Sequence, residues 1–342
     1  MMSRSWVNSS ASVLGAQAPP DDRVSRAALI EDVLQLAECS RLVVLHRARS
    51  GDLESVAADY LALARPGIPR AGYRAYSAQA VNCIARFHTS QGNEATRVLL
   101  RLVLLAACIE LVRTEEYLRL PERIFLNHTA MLVRIAATTD CDASWLNPDH
   151  DLFHKEFGLA SLRLIAAENR VVDANSAIPR SVVWKSGIWS CPRNFAVFFR
   201  LGGFSPYLQT HVHDLTMSRI TEGNRIQFWL SCAEILRDRP ALKGMFGASW
   251  LEDPALEFAA PRLYLANRVP RDNGAIYVPM GTDEETVGNA LRKSASRQSL
   301  YDNGQYLPQR YLMIWPRARV IEWADRWISE NPDHPGVASA GA

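Results

Sequence analysis

The chain has 342 residues, 48% of them hydrophobic, and its 38 lysines and arginines almost cancel 36 aspartates and glutamates to leave a formal charge of +2. That composition supplies ample core for a globular protein of two ordinary domains and no global field to hold a polyanion, so nucleic acid is not an expected partner. The greasiest run, Leu102–Ile109, is closed by Arg101 and Glu110 and is far too short for a bilayer, so it reads as a buried helix and no membrane partner is expected.

Residues 1–22, rich in Ser, Ala and Pro with no continuous apolar stretch, read as a flexible arm without an export signal. The cysteines Cys39, Cys83, Cys108, Cys141, Cys191 and Cys232 have no paired spacing, which suits reduced thiols and predicts a cytoplasmic location. From 23 to about 150 the apolar residues recur at three and four, as in "AALIEDVLQLAECSRLVVLHRA" and "EATRVLLRLVLLAACIELVRTEEYLRL", predicting a helical bundle. Breaks are expected at Ser50, Gly51 and Asp52 and at the Pro-Gly and Ile-Pro pairs of 66–69. The surrounding "RPGIPRAGYR" reads as an exposed turn with solvated arginines. The turn-forming segment 138–151 marks the boundary between two domains.

Beyond it, from 151 to 329, short β-like runs alternate with helices, so the fold class is α+β, a helical bundle followed by a mixed-sheet α/β domain. "ASLRLIAA", "RVVDA" and "RSVVWK" read as an antiparallel meander. The helix "PRNFAVFFRLG", the strand "YLQTHVHDL", the helix "NRIQFWLSCAEILRD", the strand "KGMFGASWL" and the helix "PALEFAAPRLYLANR" follow. Last come the strand "AIYVPM", a helical insertion, the strand "RYLMIWP" and an amphipathic helix, with a disordered tail over 330–342. The later strand-helix-strand steps imply crossovers and parallel pairing.

The stretch His211, Val212, His213, Asp214 concentrates the chemistry. In a regular strand Tyr207, Gln209, His211 and His213 share one face, and Asp214 joins them only through a bulge or strand end. Either imidazole could act as a general base near neutral pH. The same pair could ligate iron or zinc with Asp214, Glu252 or Asp253, or with His150, His154 and Glu156 of "DHDLFHKE", and the chain would then be a metal-dependent oxygenase or hydrolase. A hydrogen-bonded cleft wall and an ordinary capped helix start are the structural alternatives. After the strand, Thr221 is a candidate N-cap, and Gly223, Asn224 and Arg225, with Arg219, could receive an anion at the helix start. Gly247, Ala248 and Ser249 lower the wall of the next strand, and Glu252 stands at its end, where ligands gather in crossover sheets. Cys191 before Pro192, the tryptophans Trp184, Trp189, Trp229, Trp250 and Trp315, and the arginines of "RLYLANRVPRDNG" complete the candidates, with Trp229 and Trp315 assigned to the core.

Over roughly 156–316 this order of elements resembles the GNAT acyltransferase superfamily. The resemblance implies acyl-CoA lying between the 207–214 and 243–251 strands against Gly247, Ala248 and Ser249, with its pyrophosphate at Gly223, Asn224 and Arg225. It implies Tyr264 as the acid for the leaving thiolate, with His211 or His213, supported by Asp214 and Glu252, as catalytic groups of a small-molecule group-transfer enzyme. In place of that family's glycine-rich loop "MSRITEGNR" has Gly223 alone, and the insertion "DEETVGNALRKSASRQSLYDNG" is additional. A third reading is a non-catalytic ligand-binding or assembly protein, oligomerising through the apolar helix of 94–120.

Overall fold

The computed structural model describes residues 25–48, 52–64, 72–185, 191–213, 215, 221–292 and 294–332. The expected arm, the breaks at 49–51 and 65–71, and most of the tail lie outside them, as does Asp214.

The first half is helical as its periodicity predicts. Helix α1 spans Arg26–Arg47, its N-cap Ser25 accepting from Ala28 N, and α2 spans Leu53–Leu63. Helix α3, Ala78–Leu111, starts at Ser77, whose hydroxyl accepts from Ala80 N at 3.0 Å and donates to Leu63 O at 2.9 Å, so one serine closes α2 and opens α3. At Gly92 the chain takes φ 81°, a value that favours glycine, and α3 becomes two helical runs. Helices α4, Glu115–Leu118, and α5, Glu122–Ala136, follow. The apolar run of α3 is buried on every side, with Leu99, Leu100, Val103, Leu104, Leu105 and Cys108 fully enclosed. The grease that suggested an assembly surface is therefore satisfied within the chain.

Helix α6, Asp151–Ala160, begins at His150, whose side chain accepts from Leu152 N, which is the capped helix start foreseen for "DHDLFHKE". The sheet follows: β1, Ile165–Ala167; β2, Arg170–Ser176; then helices α7, Val182–Lys185, and α8, Cys191–Arg200; β3, Tyr207–Val212; and helix α9, Glu222–Asp238. Strand β4, Gly244–Ser249, runs into a 3-10 turn at Trp250–Glu252, followed by helices α10, Leu256–Ala259, and α11, Pro261–Asp272. Strand β5, Ile276–Gly281, helices α12, Glu284–Leu291, and α13, Ala295–Asp302, strand β6, Arg310–Pro316, and helix α14, Arg317–Glu330, complete the order.

Six strands form one mixed sheet in the order β1-β2-β3-β4-β6-β5. Among the described residues the sole parallel neighbours are β3 and β4, joined by the crossover helix α9, and the remaining pairs are antiparallel. Three expectations need correction. "RSVVWK" is not the third meander strand but holds the short helix α7, because its amides bond back three residues, Val182 N to Pro179 O at 3.0 Å, Val183 N to Arg180 O at 3.2 Å and Trp184 N to Ser181 O at 3.1 Å, instead of to a neighbouring strand. The meander is instead β1-β2-β3. The segment 254–268 is two helices, since Ala260 precedes Pro261 and takes extended φ, −159°. Parallel pairing stops at β3 and β4, since the insertion reverses the chain between β5 and β6.

The main core is continuous from Val33 of α1 through α3, α5 and α6 to Leu208, Met245 and Trp315 on one face of the sheet. A second cluster around Tyr207, Phe246 and Ile314 packs on the other face beneath α7 and α8. His128 locks α5 into this assembly: its Nε2 lies 3.0 Å from Leu159 O and its Nδ1 accepts from Ala166 N, the helix end and β1 backbone on either side. Complete burial pushes its pKa down to about 4. The unfolded chain, with an ordinary imidazole near 6.5, takes up the proton first, so the stabilisation is complete above about pH 6.5 and is lost as pH falls toward 4, by about 3 kcal/mol. Urea unfolding of the wild type across that range should show this loss, and His128→Gln should be less stable at neutral pH with a flatter dependence.

Candidate functional site

Strand β3 presents two different surfaces. Toward its C-terminal end His211, and His213 just after it, meet the Gly72–Arg74 segment and α6, whereas Thr210 lies against Gly247 of β4 close to Glu252.

On the first surface, His213 directly follows the strand and is fully buried, its Nε2 2.9 Å from Glu156 Oε1 of α6. Arg134 of α5 reaches the same carboxylate, at 2.7 Å from Oε1 and 2.8 Å from Oε2. Burial acts to raise the Glu156 pKa, but Arg134 and His213 outweigh it and hold the group below its ordinary value, as a carboxylate.

His211 is the less buried member of the pair. Half-buried, it meets the Tyr73 ring edge-on at 4.9 Å, and its Nε2 is itself buried, with no hydrogen-bond partner among the described residues. Desolvation, reinforced by Lys155 and Arg74 and opposed by Asp151, lowers its pKa to about 4, so the ring is a neutral proton acceptor at physiological pH. Tyr73 belongs to the segment read as an exposed turn, yet it is buried. Its amide donates to Asp173 Oδ2 at 2.9 Å and its hydroxyl to Asp151 Oδ1 at 2.7 Å. Asp151 also takes Lys155 Nζ at 2.6 Å and pairs with Arg74, which together hold its pKa far below normal against the effect of burial. Gln209, on the same face, accepts from the Ser176 hydroxyl. His154, one turn after His150, lies 3.0 Å from Tyr76 Oη rather than on the β3 pair.

Strands β3 and β4 pair only at Leu208–Met245 and Gln209–Phe246, so their C-terminal halves part. Beyond those pairs Thr210 lies against Gly247, where an added Cβ would come within 2.6 Å of Thr210 Oγ1 and would push that side chain aside. Ala248 and Ser249 are half-buried beyond it, and Ser249 Oγ caps the following turn at Leu251 N. Helix α9 opens at Thr221, which accepts from Asn224 N as expected of an N-cap, and Gly223 is exposed in its first turn. Arg225 turns inward instead of toward solvent: it donates to Asn267 Oδ1 at 2.7 Å and lies over the Trp229 ring at 4.5 Å. Glu252, at the end of the 3-10 turn, is buried on the same side, its pKa raised by desolvation and partly restrained by Arg225, Arg170 and Arg271. Tyr264 is half-buried on α11, its ring 5.5 Å from the Arg271 guanidinium. Trp229 and Trp315 fill the core as assigned, whereas Trp184 is exposed.

Thus the structure brings His211 beside Tyr73, Lys155 and Asp151, and His213 onto Glu156, while Glu252 and Arg225 meet on the opposite face. Among the described residues no group of three His, Cys, Asp or Glu side chains is arranged to hold a metal ion. None of their helices is long and apolar enough to cross a membrane. Compared with known protein families, curated proteins and solved structures, the chain matches none.

The unequal roles of the two histidines carry a stability signature. Glu156→Gln, which strips the charge that pairs with Arg134 and His213, should cost about 3 kcal/mol in denaturant unfolding. His211→Gln, which removes no hydrogen bond, should stay within about 1 kcal/mol of wild type.

Proposed function

We infer that the chain is a group-transfer enzyme of GNAT-like build that moves an acyl group from acyl-CoA to a small amine or hydroxyl acceptor, with His211 as general base. The observation that carries this reading is the parting of β3 from β4 after two register pairs, next to the start of their crossover helix α9. A thioester arm laid in that gap would run between the two strands, with Gly247, Ala248 and Ser249 as one wall. The mixed sheet, whose β3 and β4 run parallel through the crossover helix α9, supports such a build.

His211 projects from β3 beside the gap, while His213 is engaged by Glu156 and orients the strand end. In the proposed reaction the acceptor's proton passes to the His211 imidazole as the acceptor's lone pair attacks the thioester carbonyl. Collapse then breaks the C–S bond, and Tyr264 protonates the departing thiolate. The half-buried setting of His211 keeps it unprotonated without a second base, and the neighbouring cations Lys155 and Arg74 disfavour its charging.

Isothermal titration with acetyl-CoA, longer acyl-CoA species and CoA tests the donor directly: saturable binding by at least one is expected, and binding by none overturns the proposal. With a turnover assay, His211→Gln should lower kcat by at least about 100-fold and leave the donor Kd unchanged. The acid limb assignable to His211 should fall near pH 4, since the base is lost only on protonation at its lowered pKa. A limb near the ordinary histidine value, abolished in His211→Gln, would contradict that environment.

A further inference from the structure

The even face of β3 covers a buried polar cluster that acyl transfer at His211 does not use. Glu252 is fully enclosed, and its Oε2 has no hydrogen-bond partner. Arg271 reaches only the Glu252 backbone oxygen, at 3.4 Å, and its Nε is buried without a partner. The Tyr277 hydroxyl, on β5, is likewise buried and unpartnered, with the Arg271 guanidinium 4.3 Å from its ring. Arg170 of β2 is buried with its guanidinium 5.5 Å from the Phe228 ring, and Arg225 lies 5.3 Å from that same ring. Thus Arg170 of β2, Arg225 of α9 and Arg271 of α11 lie near the Glu252 carboxylate, and among the described residues neither Arg170 nor Arg271 forms an ion pair with it.

Two physical facts make this arrangement incomplete as it stands. A buried donor or acceptor without a partner costs about 1–3 kcal/mol, and here a carboxylate oxygen, a guanidinium nitrogen and a phenol share one layer. Buried like charges repel, and among the described residues Arg170 and Arg271 form no ion pair, while the Asp253 carboxylate near Arg271 is already bonded to the Ala255 and Gln309 amides. Opposite charges that converge without touching leave room for a third polar body between them, and two unpartnered donors, Arg271 Nε and the Tyr277 hydroxyl, against one unpartnered Glu252 oxygen fix its sign. We propose that Arg170, Arg225, Arg271 and Tyr277 form a binding site for a small oxyanion, the phosphate or carboxylate of a metabolite, with Glu252 as the opposing wall.

Guanidinium forks suit two oxygens of such a group, and the phenol supplies one further donor. Glu252 confers selectivity: it repels anions lacking a proton to share, and it accepts a hydrogen bond from a protonated phosphate oxygen or carboxylic acid. Half-buried Arg271 and Tyr264 form the rim through which the ligand enters. This site shares Tyr264 with the acyl-transfer reading, but oxyanion binding by the arginines and Tyr277 stands or falls without that reaction.

The test uses the full chain with inorganic phosphate, acetate and chloride in isothermal titration and thermal unfolding. Saturable binding of phosphate or acetate near one per chain, with a rise in Tm and no response to chloride, is expected, and whichever anion binds identifies the source of the oxyanion. Tyr277→Phe should weaken that binding about tenfold yet leave the ligand-free Tm unchanged or higher, because its hydroxyl bonds to none of the described residues. Arg170→Gln should weaken it further. Absence of binding by both oxyanions overturns the proposal, as does binding that Tyr277→Phe and Arg170→Gln leave unaltered, which would mark an adventitious ion only.

Discussion

The buried carboxylate of Glu156 is the constraint on which the rest of the molecule depends. It lies on a helix of the first half, takes Arg134 from another helix and holds His213 at the end of the central strand. An ionised group is expensive to bury, and these partners offset that cost only while α5, α6 and β3 keep their relative positions. The link therefore opposes any sliding of the helical layer over the sheet. Together with Tyr73, whose amide and hydroxyl bridge Asp173 and Asp151, it makes the first half a wall of the candidate site.

Much of this was legible in the sequence because it rests on local rules. The apolar period of three and four located the helices, and Thr221 capped α9 because a hydroxyl before a helical run satisfies a free amide. Strand alternation put His211 and His213 on one face. The division of labour between them was not legible, since it depends on Glu156 and Tyr73, 57 and 138 residues away from His213 and His211. "DHDLFHKE" did contain Glu156, but nothing local distinguishes a carboxylate that meets a strand from one that meets water. Helix α7 was misread because two adjacent valines signal a strand by propensity and a buried turn by packing, and packing decided.

The inward turn of Arg225 was hidden for a related reason. An arginine in the first turn of a helix ordinarily points to solvent or to an anion held at the amides. Here it follows the buried stripe of α9 and meets Asn267 from α11, which a one-dimensional pattern cannot show. Arg170 reads in sequence as the polar opening of a strand, and it is buried against Phe228 four elements later.

Both sites depend on the register of β3. Side chains alternate, so shifting the strand by one residue would exchange His211 and His213 for Thr210 and Val212 on the helical side and thrust an imidazole toward Arg170 and Arg225. Against β4 the register rests on two pairs, Leu208–Met245 and Gln209–Phe246, fewer than β4 makes with β6. A longer ladder would fix it better but would close the gap at Gly247. The antiparallel pairing with β2 and the His213–Glu156 contact supply what the short parallel ladder lacks, one on the strand's far edge and the other at its end. The strand can thus stand apart from β4 where the gap opens and still hold His211 in place, because its position is set from the helical side rather than across the gap.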